Sequence, residues 1–214
     1  MTQKNIHLLI ADDHVIIRRG LRFLLESMTP ACQIDETDSQ RGIINALTSK
    51  IYTHLILDMQ MQDGNLLDII SNITGNYPQI QIMIYTMNSE DLYGLRMLKL
   101  GAHIFLNKQT HETDLKQALQ AFLNNQPYVS SHLSDLINDN KKRKNKDAFA
   151  SLSDRELTVL NNILAGKSLK EIAINLDLKA NTVATFKARI FDKLGVSNLI
   201  DLKAVVETYQ RTGK

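Results

Sequence analysis

Short apolar runs alternate with amphipathic stretches along roughly the first 125 residues of the chain. The runs LLI, LIL and IMIY are almost continuously apolar, which is typical of strands that are covered on both faces. This alternation predicts five βα units, and therefore a parallel sheet between two layers of helices. The predicted strands are Ile6–Ala11, Gln33–Glu36, His54–Leu57, Ile80–Tyr85 and His103–Leu106, and the predicted helices lie near residues 14–27, 39–50, 65–75, 89–100 and 112–123.

A different pattern, that of four short amphipathic helices, fills residues 150–214. Ser153 and Glu156 have the spacing of a capping box, and Gly166 is placed to end the helix that they begin. Asn181 is predicted to cap the third helix, which Gly195 ends. Two short helices joined by a tight turn, the second rich in small and basic residues, describe a helix-turn-helix.

The stretch between these two patterns, residues 126–149, is predicted to be a linker. Its second half lies within NDNKKRKNKDAFA, which has no apolar periodicity and contains the basic run KKRK. One interpretation of this run is a solvated tether. The other is a tether that also touches DNA phosphates.

Charge is distributed unevenly along the chain. Residues 1–137 hold 10 Lys and Arg against 14 Asp and Glu, whereas residues 138–214 hold 15 against 9. This division favours a small-ion or phosphate site in the front half and nucleic acid as the partner of the back half. No apolar run is long enough to span a bilayer and the N-terminus lacks a signal-peptide pattern, so we expect a cytoplasmic protein with no membrane partner.

Five polar residues lie at the ends of predicted strands. Asp12 and Asp13 end the first strand, Asp58 ends the third, Thr86 follows the fourth and Lys108 follows the fifth. Because the carboxyl ends of parallel strands meet at one edge of the sheet, we expect these side chains to share one crevice. Each residue alone has an ordinary alternative, since an aspartate after a strand is often a helix cap and a lysine there is often solvated.

Three carboxylates and an ammonium gathered at one edge can hold a divalent cation and a phosphoryl group. Asp58 is the candidate nucleophile, because a carboxylate can form an acyl phosphate. Mg2+ prefers hard oxygen ligands. The predicted ligands are the carboxylates of Asp12, Asp13 and Asp58 and the main-chain carbonyl of Gln60. Lys108 and Thr86 are predicted to pair with phosphoryl oxygens.

Two sets of motifs resemble the domains of a NarL/FixJ-type two-component response regulator. IADDH, LILDM, IYT and GAHIFLNK are similar to receiver-domain motifs, and LSDRELTVL, GKSLKEIA and NTVATFKARIFDKLGV resemble the signature of a LuxR-type DNA-binding domain. The segment TVATFKARIFDKL resembles the BvgA/EvgA-like branch most. The resemblance implies an α/β, flavodoxin-like receiver domain with strand order 2-1-3-4-5 at residues 1–125, a linker at 126–149 and an all-α helix-turn-helix domain at 150–214.

The resemblance also implies a function. A sensor histidine kinase would transfer a phosphoryl group to Asp58, and a switch that couples Thr86 to Phe105 would change dimerisation and DNA affinity. The implied partners are this kinase, double-stranded DNA and a second copy of the chain, with RNA polymerase as a further candidate. The implied output is regulation of transcription, so the chain is not expected to be an enzyme. Phe105 lacks the hydroxyl of the tyrosine that is common in the family. A role in core packing is therefore given the same weight as a role in the switch.

The segment MQMQDG departs from the family pattern. Gly64 follows Asp58 by only six residues, two fewer than is usual in the family, and the usual proline is missing. The pair Asp63-Gly64 offers a tight turn that would accommodate the shorter loop. This departure motivates a second hypothesis, a DNA-binding regulator whose receiver is a phosphorylation-independent dimerisation module. A phosphatase or flavodoxin-like binding protein is disfavoured, because the sequence has no Asp-x-Asp nucleophile pair and no glycine-rich phosphate loop.

The third helix of the back half is the predicted recognition helix. The residues of its predicted base-contacting face are Ala184, Thr185, Lys187 and Ala188, of which the small ones suit thymine methyl groups. The candidates for phosphate contacts, which fix the register on DNA, are Lys170, Thr182, Lys187, Arg189 and Lys193. The alternative is a solvated basic face. The last helix either completes the domain core or pairs two copies.

Overall fold

The computed structural model describes residues 6–61, 66–142 and 148–212, which fall into two compact units. The first unit is Met1–Ser134 and the second is Asp135–Lys214. The turn predicted at Asp63-Gly64 lies outside the described residues, as does the end of the basic run KKRK. Within the described part of the chain, no helix is long and apolar enough to cross a membrane.

A five-stranded sheet forms the centre of the first unit. The strands are β1 His7–Ala11, β2 Gln33–Thr37, β3 His54–Leu57, β4 Gln81–Thr86 and β5 Ile104–Asn107. All neighbouring strands are parallel, and their order is β2-β1-β3-β4-β5. This confirms the predicted sheet, and its strand order reverses between β1 and β3, where such sheets open a ligand crevice.

Helices alternate with the strands, as the apolar pattern predicted. They are α1 Val15–Met28, α2 Gln40–Ser49, α3 Leu66–Asn76, α4 Glu90–Lys99 and α5 Glu112–Leu123. Serine side chains begin two of them: Ser39 accepts a hydrogen bond from the Gly42 amide, and Ser89 accepts one from the Asp91 amide. Such caps satisfy amides that have no partner within the helix.

Both faces of β1, β3, β4 and β5 are largely buried, whereas the edge strand β2 is only partly buried. Alternate strand residues such as Leu8 and Met83 join a core cluster to which α1 and α5 contribute Leu25 and Phe122. The residues between them face the other way and are equally buried, as Phe105 shows with no exposed surface. A sheet packed on both sides gives rigid strand ends, and the polar crevice residues stand on those ends.

A further helix, α6, occupies part of the predicted linker, where the sequence analysis placed no element. It spans Ser131–Lys142. Leu133, Leu136 and Ile137 have the spacing of one helix face, and Leu133 is completely buried. The linker prediction considered the charged stretch from Asn138 onwards and overlooked this apolar face just before it.

The second unit contains a short 3-10 turn, Phe149–Ser151, and then only α-helices among its described residues after that turn. They are α7 Asp154–Leu164, α8 Leu169–Asn175, α9 Ala180–Leu194 and α10 Leu199–Thr212. Their core includes Leu157, Leu160, Ile172, Val183 and Ile190, none of which is more than 1% exposed. The predicted number and order of the helices are thus confirmed.

Helix ends in this unit follow the predicted capping residues with one exception. Ser153 and Glu156 form the predicted capping box, and Gly166 and Gly195 have positive φ angles of 81° and 66° at the ends of their helices. The prediction that Asn181 caps the third helix is wrong. The carbonyl of Lys179 already accepts from the Thr182 and Val183 amides, so α9 begins two residues earlier.

Candidate functional site

The five polar residues predicted from the strand ends stand at the carboxyl edge of the sheet. The strand hydrogen bonding continues into them, because the Asp58 amide donates to Ala11 and the Lys108 amide donates to Thr86, both at 2.8 Å. The Asp12 amide donates to the Thr37 carbonyl at 3.1 Å. The backbone of the crevice is therefore fixed by the sheet itself.

Lys108 joins two of the carboxylates. Its Nζ lies 2.7 Å from Asp12 Oδ2 and 2.9 Å from Asp58 Oδ2, and its side chain is only 5% exposed. Burial alone would lower the pKa of this ammonium, but the hydrogen bond to Asp12 and the charge of Asp58 hold the pKa above its ordinary value. Lys108 is therefore a fixed cation beside the candidate nucleophile.

Four side chains in the crevice offer ligand atoms within 4.8 Å of one another: Asp12, Asp13, His14 and Asp58. Asp58 Oδ1 is buried and has no hydrogen-bond partner in the described part of the chain, although such atoms normally have one. Hard carboxylate oxygens suit Mg2+, and three carboxylates against one ammonium leave negative charge for a cation. The residues therefore fit a divalent cation.

Two residues at this edge were missed by the sequence analysis. His14 Nδ1 lies 2.7 Å from Asp13 Oδ1 and 3.2 Å from Asp12 Oδ1. Arg18 donates to the Asp12 carbonyl. The position of His14 directly after the acidic pair is a signal in the sequence, whereas the reach of Arg18 from α1 depends on the folded structure.

The predicted switch residues are both fully buried. Thr86 has 0% exposure, and its Oγ1 accepts a hydrogen bond of 3.3 Å from the Asn88 amide. Phe105 also has 0% exposure and pairs in register with Ile84, two residues before Thr86 on β4. The exposed side chain of Gln60 donates to Asn88 at 3.1 Å, which links the loops after β3 and β4.

In the second unit, several of the residues predicted to contact DNA are exposed on α9. Ala184, Thr185, Ala188 and Arg189 are exposed, while Thr182 and Lys187 are half-buried. The Lys187 ammonium lies 5.2 Å from the centre of the Phe191 ring. On α8, Lys170 is exposed. Small side chains beside exposed cations suit a helix that enters a DNA groove.

Lys193 has a different environment from the other predicted phosphate contacts. Its Nζ lies 2.7 Å from Glu156 Oε2 and donates to the Ser151 carbonyl at 2.9 Å. The Glu156 side chain is only 3% exposed. The ammonium of Lys193 is thus committed to a contact between α9 and the start of α7, which favours a structural role for it.

Family models match both parts of the chain. The response regulator receiver domain matches residues 8–120, and the domain of bacterial regulatory proteins of the luxR family matches residues 150–206. The first match alone spans more than half of the 214 residues. The chain belongs to the response regulators.

Relatives of this response regulator match along nearly its whole length. The Fimbriae Z protein of Escherichia coli (strain K12) is 28% identical over 207 residues, covering 97% of this chain and 99% of that protein. The response regulator UvrY of the same strain is 25% identical over 199 residues, covering 92% of this chain and 91% of UvrY. The two domains and their order are therefore shared with whole proteins of the family.

A solved structure is similar to this response regulator in fold. RcsB of Salmonella enterica serovar Typhimurium, bound to promoter rprA in the presence of the phosphomimetic BeF3-, has a TM-score of 0.76 at 29% identity. The match covers 95% of this chain and 99% of that one. The chain is thus a DNA-binding response regulator of the NarL/FixJ arrangement, a receiver followed by a LuxR-type domain.

Proposed function

We propose that Asp58 is the phosphoacceptor of this response regulator and that a sensor histidine kinase is its phosphoryl donor. The observation that carries the proposal is the buried Asp58 Oδ1, which has no partner among the described residues while Oδ2 is held by Lys108. One oxygen is therefore anchored and the other is available to react.

The transfer follows from these contacts. An Asp58 carboxylate oxygen attacks the phosphorus of a phosphohistidine, a P–O bond forms, and the P–N bond breaks with its electron pair passing to the imidazole nitrogen. Lys108 stabilises the negative oxygens of the phosphoryl group as they arrive near Asp58. The Thr86 hydroxyl oxygen accepts from the Asn88 amide, and its own hydrogen would be donated to one of these phosphoryl oxygens.

Asp12, Asp13, Asp58 and the main-chain carbonyl of Gln60 would hold Mg2+. When bound, the ion neutralises phosphoryl oxygens and reduces their repulsion of the carboxylate nucleophile. The side chains of Asp12, Asp13 and Asp58 fit this role because their oxygens lie close together. Their three negative charges also outnumber the single positive charge of Lys108.

The proposed consequence of phosphorylation is a change in the surroundings of Thr86 that reaches Phe105. Because both residues are fully buried, any movement of Thr86 must be accommodated by its neighbours in the core. The resulting change would alter dimerisation and DNA affinity. The output is regulation of transcription in the cytoplasm rather than turnover of a substrate.

For the second unit we propose that α9 enters the major groove of DNA. Ala184, Thr185, Lys187 and Ala188 would face bases, and the proposed phosphate contacts are Lys170, Thr182, Lys187 and Arg189. We further propose a dimer on two half-sites, RNA polymerase as an additional partner, and membership of the BvgA/EvgA-like branch. The proposed domain boundaries remain 1–125, 126–149 and 150–214.

The experiment that tests the proposed acceptor is labelling of the purified chain with acetyl phosphate and Mg2+, read by intact mass. Wild type should gain one phosphoryl group, and chelation of Mg2+ should prevent this. Asp58→Ala should remain unlabelled, whereas Asp38→Ala, which changes an exposed aspartate, should be labelled normally.

Two results would contradict the proposal. Labelling that persists in Asp58→Ala would exclude Asp58 as the acceptor. An unlabelled wild type that still dimerises and binds DNA would instead favour the receiver as a phosphorylation-independent dimerisation module. That second function is motivated by the shortened segment MQMQDG after Asp58.

A further inference from the structure

Arg18 on α1 ties the loop of the acidic pair to the rest of the receiver. Its Nη1 donates a hydrogen bond of 2.6 Å to the main-chain carbonyl of Asp12. The Arg18 side chain is only 14% exposed, although arginine is usually a surface residue. Nothing in the transfer step proposed above uses this contact.

The guanidinium of Arg18 is itself held in place. Its Nε donates to Glu36 Oε2 at 3.1 Å, and Arg22 Nε donates to the other oxygen, Glu36 Oε1, at 2.6 Å. Arg22 Nη2 also donates to the Ile34 carbonyl at 3.0 Å. Glu36 and Ile34 both belong to the edge strand β2, so two arginines connect α1 to that strand and fix the direction of Arg18.

The carbonyl that Arg18 holds belongs to the peptide between Asp12 and Asp13. A peptide group is planar, so fixing its oxygen also fixes the direction in which the chain continues to Asp13. The Asp12 carboxylate has its own anchor in Lys108. The Asp13 carboxylate is 25% exposed, and its Oδ1 lies 2.7 Å from Nδ1 of His14, whose side chain is 62% exposed. Asp13 therefore depends most on the orientation of this peptide.

We propose that Arg18 is a positioning residue for the divalent cation site, because it orients the Asp12–Asp13 peptide so that both carboxylates face one ion. The inference rests on the proposed function, in which that cation accompanies phosphorylation of Asp58. The direction in which Mg2+ affinity changes when Arg18 is removed distinguishes a positioning role from a simple charge effect. Loss of a positive charge near the site would by itself tighten Mg2+ binding, whereas loss of positioning weakens it.

The test is calorimetric titration of Mg2+ into the full-length chain and its variants. Arg18→Ala should raise the Kd for Mg2+ about tenfold, the usual loss when a residue that orients a metal ligand is removed. Arg18→Lys should raise the Kd less than Arg18→Ala, because an ammonium can keep one of the two contacts. It should still raise the Kd, because an ammonium cannot reproduce the fork that reaches both the carbonyl and Glu36. The matched control is Arg19→Ala, which removes the same charge from an exposed neighbour and should not raise the Kd.

A second readout follows the Mg2+ dependence of labelling by acetyl phosphate. For Arg18→Ala the half-saturating Mg2+ concentration should rise, while the rate at saturating Mg2+ returns close to that of wild type. Thermal melts check that each variant is folded. If Arg18→Ala does not fold, Arg18→Lys and Glu36→Gln, which weakens the anchor of Arg18, carry the test.

Mg2+ binding by Arg18→Ala that equals or exceeds that of wild type would overturn the inference. So would a Kd that rises equally in Arg19→Ala, since that would be a general charge effect. The proposed function fails separately, if wild type binds Mg2+ but Asp58 is not labelled. The two failures are therefore distinguishable in the same set of variants.

Discussion

At the scale of single residues, Lys108 explains why the crevice is stable before any phosphoryl group arrives. A buried ammonium without partners would cost several kcal/mol, and the contacts with Asp12 and Asp58 offset that cost. The same contacts leave Asp58 Oδ1 unpartnered among the described residues. In Asp58, Oδ2 therefore supports the structure through Lys108, while Oδ1 is available for chemistry.

The first residue-scale prediction concerns Lys193 and the buried Glu156. Lys193→Ala should reduce the free energy of opening of α7 and α9 by about 1–3 kcal/mol, because the Glu156 carboxylate loses its ammonium partner. The measurement is native-state hydrogen exchange on the full-length chain. Lys187→Ala is the matched control on the same helix, and its opening free energy should change little.

The pH dependence of this effect has a definite sign. Burial raises the pKa of Glu156, but the hydrogen bonds from Lys193 and Ser153 prevail and keep the pKa below its ordinary value. The stabilisation is therefore present above the unfolded-state pKa and is lost as the pH falls through the folded-state pKa. The difference in opening free energy between wild type and Lys193→Ala should therefore become smaller in acid.

A different result would contradict the structural role of Lys193. If Lys193→Ala is as stable as wild type at neutral pH and its DNA binding depends less on salt, Lys193 is a phosphate contact.

The residues of the crevice differ in how far the sequence could predict them. Asp12, Asp58 and Lys108 could be predicted, because strand ends in a parallel sheet converge by geometry alone. Arg18 could not, because its contacts depend on how far a side chain on α1 reaches across to β2. In the second unit, Lys193 was predicted to contact phosphate, whereas its observed contact with Glu156 joins residues 37 positions apart in the sequence.

At the scale of elements, the start of α6 is attached to α4. Ser130 Oγ donates to Glu90 Oε2 at 2.6 Å, and His132 Nε2 lies 3.1 Å from Asp91 Oδ1. Leu133 is fully buried and packs beside Gly94. Because α4 begins four residues after Thr86, the helix that follows this proposed switch residue in the sequence contacts the first turn of α6.

The element-scale prediction is that Gly94→Ala loosens the start of α6 while α4 itself is strengthened. A Cβ at Gly94 would lie 2.6 Å from Leu133 Cδ1, so the buried leucine must move. Alanine also favours the helical conformation over glycine by about 1 kcal/mol, which offsets the loss in overall stability. Hydrogen exchange should become faster in the first turn of α6 and slower in α4.

The matched control is Gly20→Ala on α1. Gly20 is exposed and a Cβ there would meet no atom within 4 Å, so this change should add about 1 kcal/mol of stability and leave α6 unchanged. Unchanged exchange at α6 in Gly94→Ala would show that Leu133 repacks in place. The attachment would then not depend on the absence of a side chain at Gly94.

Helices and strands were predicted well where apolar residues kept one regular spacing along the whole segment. The strands and α1 to α5 lie within one or two residues of their predicted limits. Burial on both faces marks β1, β3, β4 and β5, whereas the edge strand β2 is only partly buried. Helix α6 was missed since its apolar face is short and runs directly into a charged stretch. The start of α9 was misplaced because Asn181 suits a cap by residue type, while the carbonyl of Lys179 determines the actual start.

At the scale of the whole molecule, the uneven charge matches the two units. The acidic front half contains the carboxylate crevice, and the basic back half contains the α9 surface. Relatives such as Fimbriae Z protein share both domains over nearly their full length. The sequence could predict this division, because motifs and composition are properties of long segments.

The central claim is that phosphorylation of Asp58 controls DNA binding, and genome-wide DNA binding in cells tests it most directly. Wild type and Asp58→Ala would be compared at equal protein levels under conditions in which wild type is phosphorylated. Wild type should occupy discrete sites that Asp58→Ala loses or occupies weakly. The same sites occupied to the same extent by both proteins would contradict the claim, and would mean that this receiver does not use Asp58 to control its output.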